Sequence, residues 1–86
     1  MKVFIEGRVQ GVGYRMYVRG LAYQYKVGGW VRNRDDGRVV AEIEGERAIV
    51  ERVVEAMYAR GSHIIRVDRV SVIPISPIGE HGFEIR

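Results

Sequence analysis

Two apolar stripes at helical spacing, each flanked by runs that alternate at strand spacing, constrain this chain more than any other feature. Tyr14, Val18, Leu21, Ala22 and Tyr25 recur at i, i+4, i+7, i+8 and i+11, the period of one buried helix face. Ile49, Val50, Val53, Val54 and Met57 form a second stripe that runs toward Gly61. Before the first stripe, Val3, Ile5 and Val9 alternate with Glu6 and Arg8, a strand pattern. Between the stripes, Trp30-Val31-Arg32-Asn33 has the aromatic and β-branched content of a strand. Val39, Ala41 and Ile43 then alternate with Arg38, Glu42 and Glu44. Asp35-Asp36-Gly37 separates these two runs, and Asp-Gly supplies the positive φ of a tight hairpin. Gly28-Gly29 is predicted to stop the first helix. Ile64 to Ile73 predicts a fourth strand with imperfect alternation, because Arg66, Asp68, Val70 and Val72 share one parity. Pro74 and Pro77 bound an irregular connection, and residues 81–86 predict a short last strand with Phe83 and Ile85 inward.

The resulting order is β-α-β-β-α-β plus a terminal strand. That order predicts an α+β, ferredoxin-like split β-α-β sandwich, an antiparallel sheet carrying two helices on one face. A chain of 86 residues, 47% of them apolar, suits one domain over residues 1–86. The fold itself leaves the function open, because it hosts many.

The bulk composition removes several classes of function. Cysteine is absent, so neither a disulfide nor thiolate chemistry is available. No apolar run approaches the ~20 residues of a membrane helix. The start Met1-Lys2-Val3-Phe4 reaches Glu6 and Arg8 at once, unlike a signal peptide. These features predict a cytoplasmic protein with no membrane partner, and a monomer is expected. Net charge is +3, from 14 basic and 11 acidic residues. That modest excess fits a small anionic ligand at least as well as a nucleic acid. His63 and His81 are isolated, and no cluster has metal-ligand spacing, so no metal site and no cofactor are expected.

One loop carries the chemistry. Gly7-Arg8-Val9-Gln10-Gly11-Val12-Gly13-Tyr14-Arg15 lies between the first strand and the first helix. It holds three glycines, an arginine at its end and no acidic residue. Such a turn leaves backbone N–H groups unpaired, and the helix that follows adds the positive end of its dipole. The loop predicts a cradle for phosphate. It is not a Walker A loop, since no Gly-Lys-Ser/Thr follows. It also lacks the dinucleotide fingerprint, because Met16 stands where a third glycine is required. Tyr14 is expected to pack under the loop, Val9 and Val12 to support it, and Trp30 to be structural.

Two stretches together resemble the acylphosphatase family. The loop Gly7–Arg15 is similar to the family's N-terminal motif. Gly29-Trp30-Val31-Arg32-Asn33 with Asp36-Gly37 is similar to its second motif. The similarity runs on through Val39 to Gly45 and the ending Phe83-Glu84-Ile85-Arg86. The resemblance implies hydrolysis of the carboxyl-phosphate bond of acyl phosphates, without metal or cofactor. It implies Arg15 and Asn33 as the catalytic pair. Three departures stand out. Tyr25-Lys26 replaces a common Leu-Gly helix end, Arg34 follows the asparagine where a smaller or apolar residue is usual, and Gly61-Ser62 replaces Gly-Pro. The first forfeits a glycine helix cap. The second is expected to alter the rim of the site.

Under that resemblance the residues have clear tasks. An acyl phosphate carries a good leaving group, so no strong acid is required; what remains is to hold the phosphoryl group and place a water in line. Arg15 can grip two phosphate oxygens, and backbone N–H groups of Gln10, Gly11, Val12, Gly13, Tyr14 and Arg15 can hold others. Asn33 can orient the water by accepting a proton of it at Oδ1. An amide is too weak a base to remove that proton, which passes to a phosphate oxygen. Inorganic phosphate is then product and competitive inhibitor. Two other readings share the fold: a non-catalytic phosphate- or acyl-phosphate-binding regulatory module, and an RNA-binding domain. The latter needs exposed aromatics on the first and third strands, where this chain offers only Phe4, so no nucleic-acid partner is expected.

Overall fold

The computed structural model describes residues 1–77, 79 and 82–86. His81 of the expected last strand therefore lies outside the described residues. The elements are β1 (Lys2–Arg8), α1 (Tyr14–Tyr25), β2 (Gly28–Asn33), β3 (Val39–Glu44), α2 (Arg47–Ala56), β4 (Arg66–Ile73) and β5 (Phe83–Ile85). They form a five-stranded sheet in the order β4-β1-β3-β2-β5. β1 pairs antiparallel with β3 and β4, and β2 pairs antiparallel with β3. β5 runs parallel to β2, so the sheet is mixed and not antiparallel throughout. Local alternation carries neither the partner nor the direction of a three-residue strand, and this one is set by tertiary pairing. Its ends are tied by Gly29 N–H to the Gly82 carbonyl (2.9 Å) and Arg86 N–H to the Val31 carbonyl (2.8 Å).

The two helical stripes and one side of the sheet make the core. Val3, Ile5, Val31, Val39, Ala41 and Ile43 present one face of the sheet to Val18, Leu21 and Ala22 of α1 and to Val50, Val53 and Met57. Each fully buried aliphatic side chain contributes about 1.5–3 kcal/mol relative to exposure. The alternate residues point to the other side. There the guanidinium groups of Arg34 and Arg38 cover the Phe4 ring, at 5.6 and 5.3 Å from its centroid. Arg32 and Arg86 cover Trp30 at 5.8 and 5.1 Å.

Three local expectations change. Gly28 and Gly29 do not stop α1, because both belong to β2. The stop is Lys26, in the left-handed conformation at φ 57°, ψ 44°. α2 closes at Ala56, earlier than the stripe suggests, and the left-handed residue that follows is Ala59 rather than Gly61. The uneven parity of β4 has a simple cause. Ile5 faces Val70 and Glu6 faces Arg69, but Gly7 faces Val67, so Asp68 is the extra residue of a bulge. The bulge returns Val67, Val70 and Val72 to one side. It also brings the strands so close that a Cβ at Gly7 would sit 2.1 Å from the Arg66 carbonyl oxygen. Gly7 therefore serves the sheet, and the cradle begins after it.

Candidate active site

The loop between β1 and α1 is bent by two residues. Gly11 (φ 73°) and Gly13 (φ 77°) both take the left-handed conformation. Nothing lies within 4 Å of a Cβ built on either, so conformation and not crowding requires glycine. Backbone that alternates in this way gathers successive N–H groups into an anion-binding concavity. Gly13 opens α1, with its carbonyl accepting from Tyr17 N–H at 3.0 Å. The first turn of α1 contains no acidic residue, so nothing there neutralises the helix N-terminus.

Arg15 and Asn33 meet across a cleft of about 210 Å³. Gly11, Gly13, Tyr14 and Arg15 line it from the loop and α1, and Asn33 lines it from the end of β2. Asn33 faces Val39 in the β2–β3 pairing and shares parity with the buried Val31, which directs it to the helix side of the sheet. Its Oδ1 is the one buried side-chain oxygen or nitrogen without a hydrogen-bond partner among the described residues. A buried acceptor left unpaired costs about 1–3 kcal/mol, so such a group asks for a reason. Arg15 is half-buried, and its Nη1 donates to the main-chain oxygen of Arg86 at 3.3 Å. No Asp or Glu pairs with Arg15 among the described residues.

The remaining sequence candidates divide. Tyr14 is 1% exposed and its hydroxyl donates to the Met57 carbonyl at 2.7 Å. Tyr17 does the same to the Ala56 carbonyl, also at 2.7 Å. These carbonyls lie at the C-terminal end of α2, beyond its i+4 ladder, where the Ala56 carbonyl also accepts from Ala59 N–H at 3.1 Å. Burial, reinforced by the neighbouring Tyr17, pushes the Tyr14 hydroxyl well above the usual tyrosine range, so it stays a donor. The two tyrosines fix the start of α1, and with it the cradle, against α2. Val9 is buried beside the cleft, and Val12 is half-buried against the core, as supports for the loop.

Gln10 turns its side chain away from the cleft. Its Nε2 donates to the carbonyls of Arg34 (2.8 Å) and Arg38 (2.9 Å). Those two residues close the β2–β3 turn, where Arg34 N–H also donates to the Arg38 carbonyl at 2.8 Å. The Gln10 amide thus ties the loop that carries Arg15 to the hairpin that carries Asn33. Arg34 does not line the cleft, against expectation. It follows Asn33 by one residue, lies over Phe4 on the opposite side of the sheet, and donates to Asp36 Oδ2 at 3.2 Å. Strand alternation at Asn33 carries this signal in the sequence. Two cleft residues lie outside the two site motifs: Met16, and Ile85 of the family-like ending, which the strand pattern predicts inward but not at the site.

A larger hollow of about 310 Å³ sits at the other end of the sheet, near Met1, Ile43, Val50 and Pro74. Its lining is mostly apolar and includes neither Arg15 nor Asn33, so chemistry and not size identifies the site. Among the described residues, no group of three His, Asp or Glu side chains could hold a metal ion. No helix there is long and apolar enough to cross a membrane.

Known proteins match nearly the whole chain in sequence and fold. The family model for acylphosphatase matches residues 1–85. The chain belongs to the acylphosphatase family. An acylphosphatase of Roseiflexus sp. (strain RS-1) is 50% identical over 84 residues, covering 96% of this chain and 89% of the relative. One from Haloarcula marismortui is also 50% identical, covering 98% of this chain and 91% of the relative. The crystal structure of acylphosphatase from Bacillus subtilis superposes with a TM-score of 0.92 at 42% identity, covering 99% of this chain and 94% of that one. About 50% identity to named acylphosphatases over nearly the full length, with the family match, places the chain among enzymes and not only within a fold.

Proposed function

We propose that this acylphosphatase hydrolyses acyl phosphates in the cleft between Arg15 and Asn33. The observation that carries the reading is the buried, unpartnered Oδ1 of Asn33 on the same cleft as a half-buried Arg15. The phosphoryl group rests in the concavity of residues 10–15, with N–H groups on some oxygens and the Arg15 guanidinium on others. Asn33 Oδ1 accepts a hydrogen bond from water and aims its oxygen at phosphorus, opposite the acyl oxygen. The new P–O bond forms as the bond to the acyl oxygen breaks, and the carboxylate leaves with the electron pair. The water proton passes to a phosphate oxygen, giving inorganic phosphate. The chain's own work is placement and charge stabilisation, the two contributions phosphoryl transfer chiefly requires.

The test is hydrolysis of acetyl phosphate in water enriched in oxygen-18, with and without a chelator. Attack at phosphorus puts the label in inorganic phosphate, and turnover survives the chelator. Label in the acetate, or no turnover above the uncatalysed rate, overturns the reading. Inorganic phosphate should inhibit competitively with acetyl phosphate; non-competitive inhibition would remove the cradle from the site.

A further inference from the structure

The cleft has a second wall that the phosphate chemistry leaves unused. Met16 directly follows Arg15 in α1, lines the cleft and is 55% exposed, although it is large and apolar. Ile85, half-buried on β5, lines the same cleft. Arg15 itself reaches toward that strand, through its hydrogen bond to the neighbouring Arg86 main-chain oxygen. Among the described residues lining the cleft, Arg15 is the only one with a charged side chain. The nearest hairpin arginine, Arg34, is held on the opposite side of the sheet by Phe4 and Asp36. A substrate gripped by its phosphate at Arg15 thus finds methionine and isoleucine beside it, with no second charged side chain among the described residues that line the cleft.

We infer that Met16 and Ile85 form the acyl-binding ledge of this enzyme, and that it selects acyl phosphates with an apolar, ring-bearing acyl group over those carrying a second carboxylate. The inference rests on the proposed hydrolysis at Arg15 and Asn33 and names the substrate class of that site. The physical ground is a difference in desolvation. A flat apolar acyl group covers the Met16 thioether and the Ile85 side chain, and sulfur is a favourable neighbour for a ring. A carboxylate set there would lose water without gaining a partner. Met16 suits the task because three rotatable bonds let it adapt to the group it covers.

The ratio of kcat/KM for benzoyl phosphate to that for acetyl phosphate is the readout. It should fall about 10-fold in Met16→Ala, the lower end of what one apolar contact contributes to substrate discrimination. Met16→Leu should restore most of it. Met16→Lys should raise the ratio of succinyl phosphate to benzoyl phosphate, because it adds the missing cation. Competitive inhibition by inorganic phosphate should respond far less than benzoyl phosphate does to Met16→Ala, since the ledge does not touch the phosphoryl group. An unmoved benzoyl-to-acetyl ratio overturns the ledge. So does an equal drop for both substrates together with weaker phosphate inhibition, the signature of a merely structural methionine. No turnover of either substrate by the unaltered enzyme would overturn the hydrolysis itself, a distinct outcome.

Discussion

The two ends of α1 share a backbone geometry and differ in chemistry. Gly13 opens the helix at φ 77° and Lys26 closes it at φ 57°, both left-handed. At the first end the residue is glycine, the conformation costs little, and the residue lines the cleft. At the second end a side chain is forced into a region that costs an L-residue about 1–2 kcal/mol. There the Lys26 and Val27 N–H groups return to the Ala22 carbonyl, so the geometry only closes the helix. Glycine stands at the end that lines the cleft with Arg15 and Asn33, and strain is carried at the other.

Several substitutions would break or sharpen that contrast. Arg15→Ala removes the cation in the first turn and should lower kcat/KM at least ~100- to 1,000-fold, with weaker inhibition by inorganic phosphate. Steady-state kinetics on benzoyl phosphate decide it, and near-normal activity would detach the first end of α1 from catalysis. Asn33→Ala should lower kcat by about 100-fold, the cost of losing a positioned reactant, while phosphate inhibition changes little. Gly13→Ala places a Cβ at a left-handed residue with open space around it. We expect a loss of about 1–2 kcal/mol in denaturant melts, together with reduced turnover as the cradle relaxes. Lys26→Gly is the mirror experiment. It should raise stability by about 0.5–1 kcal/mol, or several degrees in Tm, with kinetics unchanged. A lower Tm in that variant would show that the lysine has a role beyond capping.

The smallest effect is expected at the hairpin. The Arg38 side chain, its backbone N–H and then Arg34 hold the Asp36 carboxyl below its usual 3.8, at about 2. A carboxyl depressed by folding stabilises above its unfolded pKa and loses that contribution as pH falls through the folded one. Asp36 is fully exposed, so solvent screening keeps the effect small. Asp36→Asn should therefore lose less Tm than the parent between about pH 4 and about pH 2. Equal acid sensitivity in both proteins would remove Asp36 from the acid limb.

Much of this was legible in the sequence because the stripes and the alternation are local. Val18, Leu21 and Ala22 must share a helix face, and Val39, Ala41 and Ile43 a sheet face, and each group is buried as such. The order of elements then restricts the topology to few choices. The rest depended on contacts far apart in the chain. Nothing near Phe83 says that it lies beside Gly29, and nothing near Gln10 says that its amide spans to the Arg34 and Arg38 carbonyls. The bulge at Asp68 blurred the alternation of β4, because an inserted residue shifts parity without any local marker. Gly28-Gly29 misled for a related reason: the pair reads as a stop, whereas both lie in β2 and Gly29, where a Cβ would sit 1.8 Å from the Glu42 carbonyl oxygen, lets β2 approach β3. At the cleft, Arg15 and Asn33 stood out through motif resemblance; Met16 carries no motif, Ile85 was legible only as an inward residue of the last strand, and their place on the cleft became visible only once it had walls.

The contact between the Arg15 guanidinium and the Arg86 main-chain oxygen has a practical corollary for anyone handling this protein. An affinity tag or fused partner attached after Arg86 would begin within hydrogen-bonding reach of the Arg15 side chain on the cleft. Met1 lies far from it, its amino group donating to the Ile43 carbonyl at 2.8 Å at the opposite end of the strands. Purification handles and reporter fusions therefore belong on the Met1 side, where they leave the mouth of the cleft open.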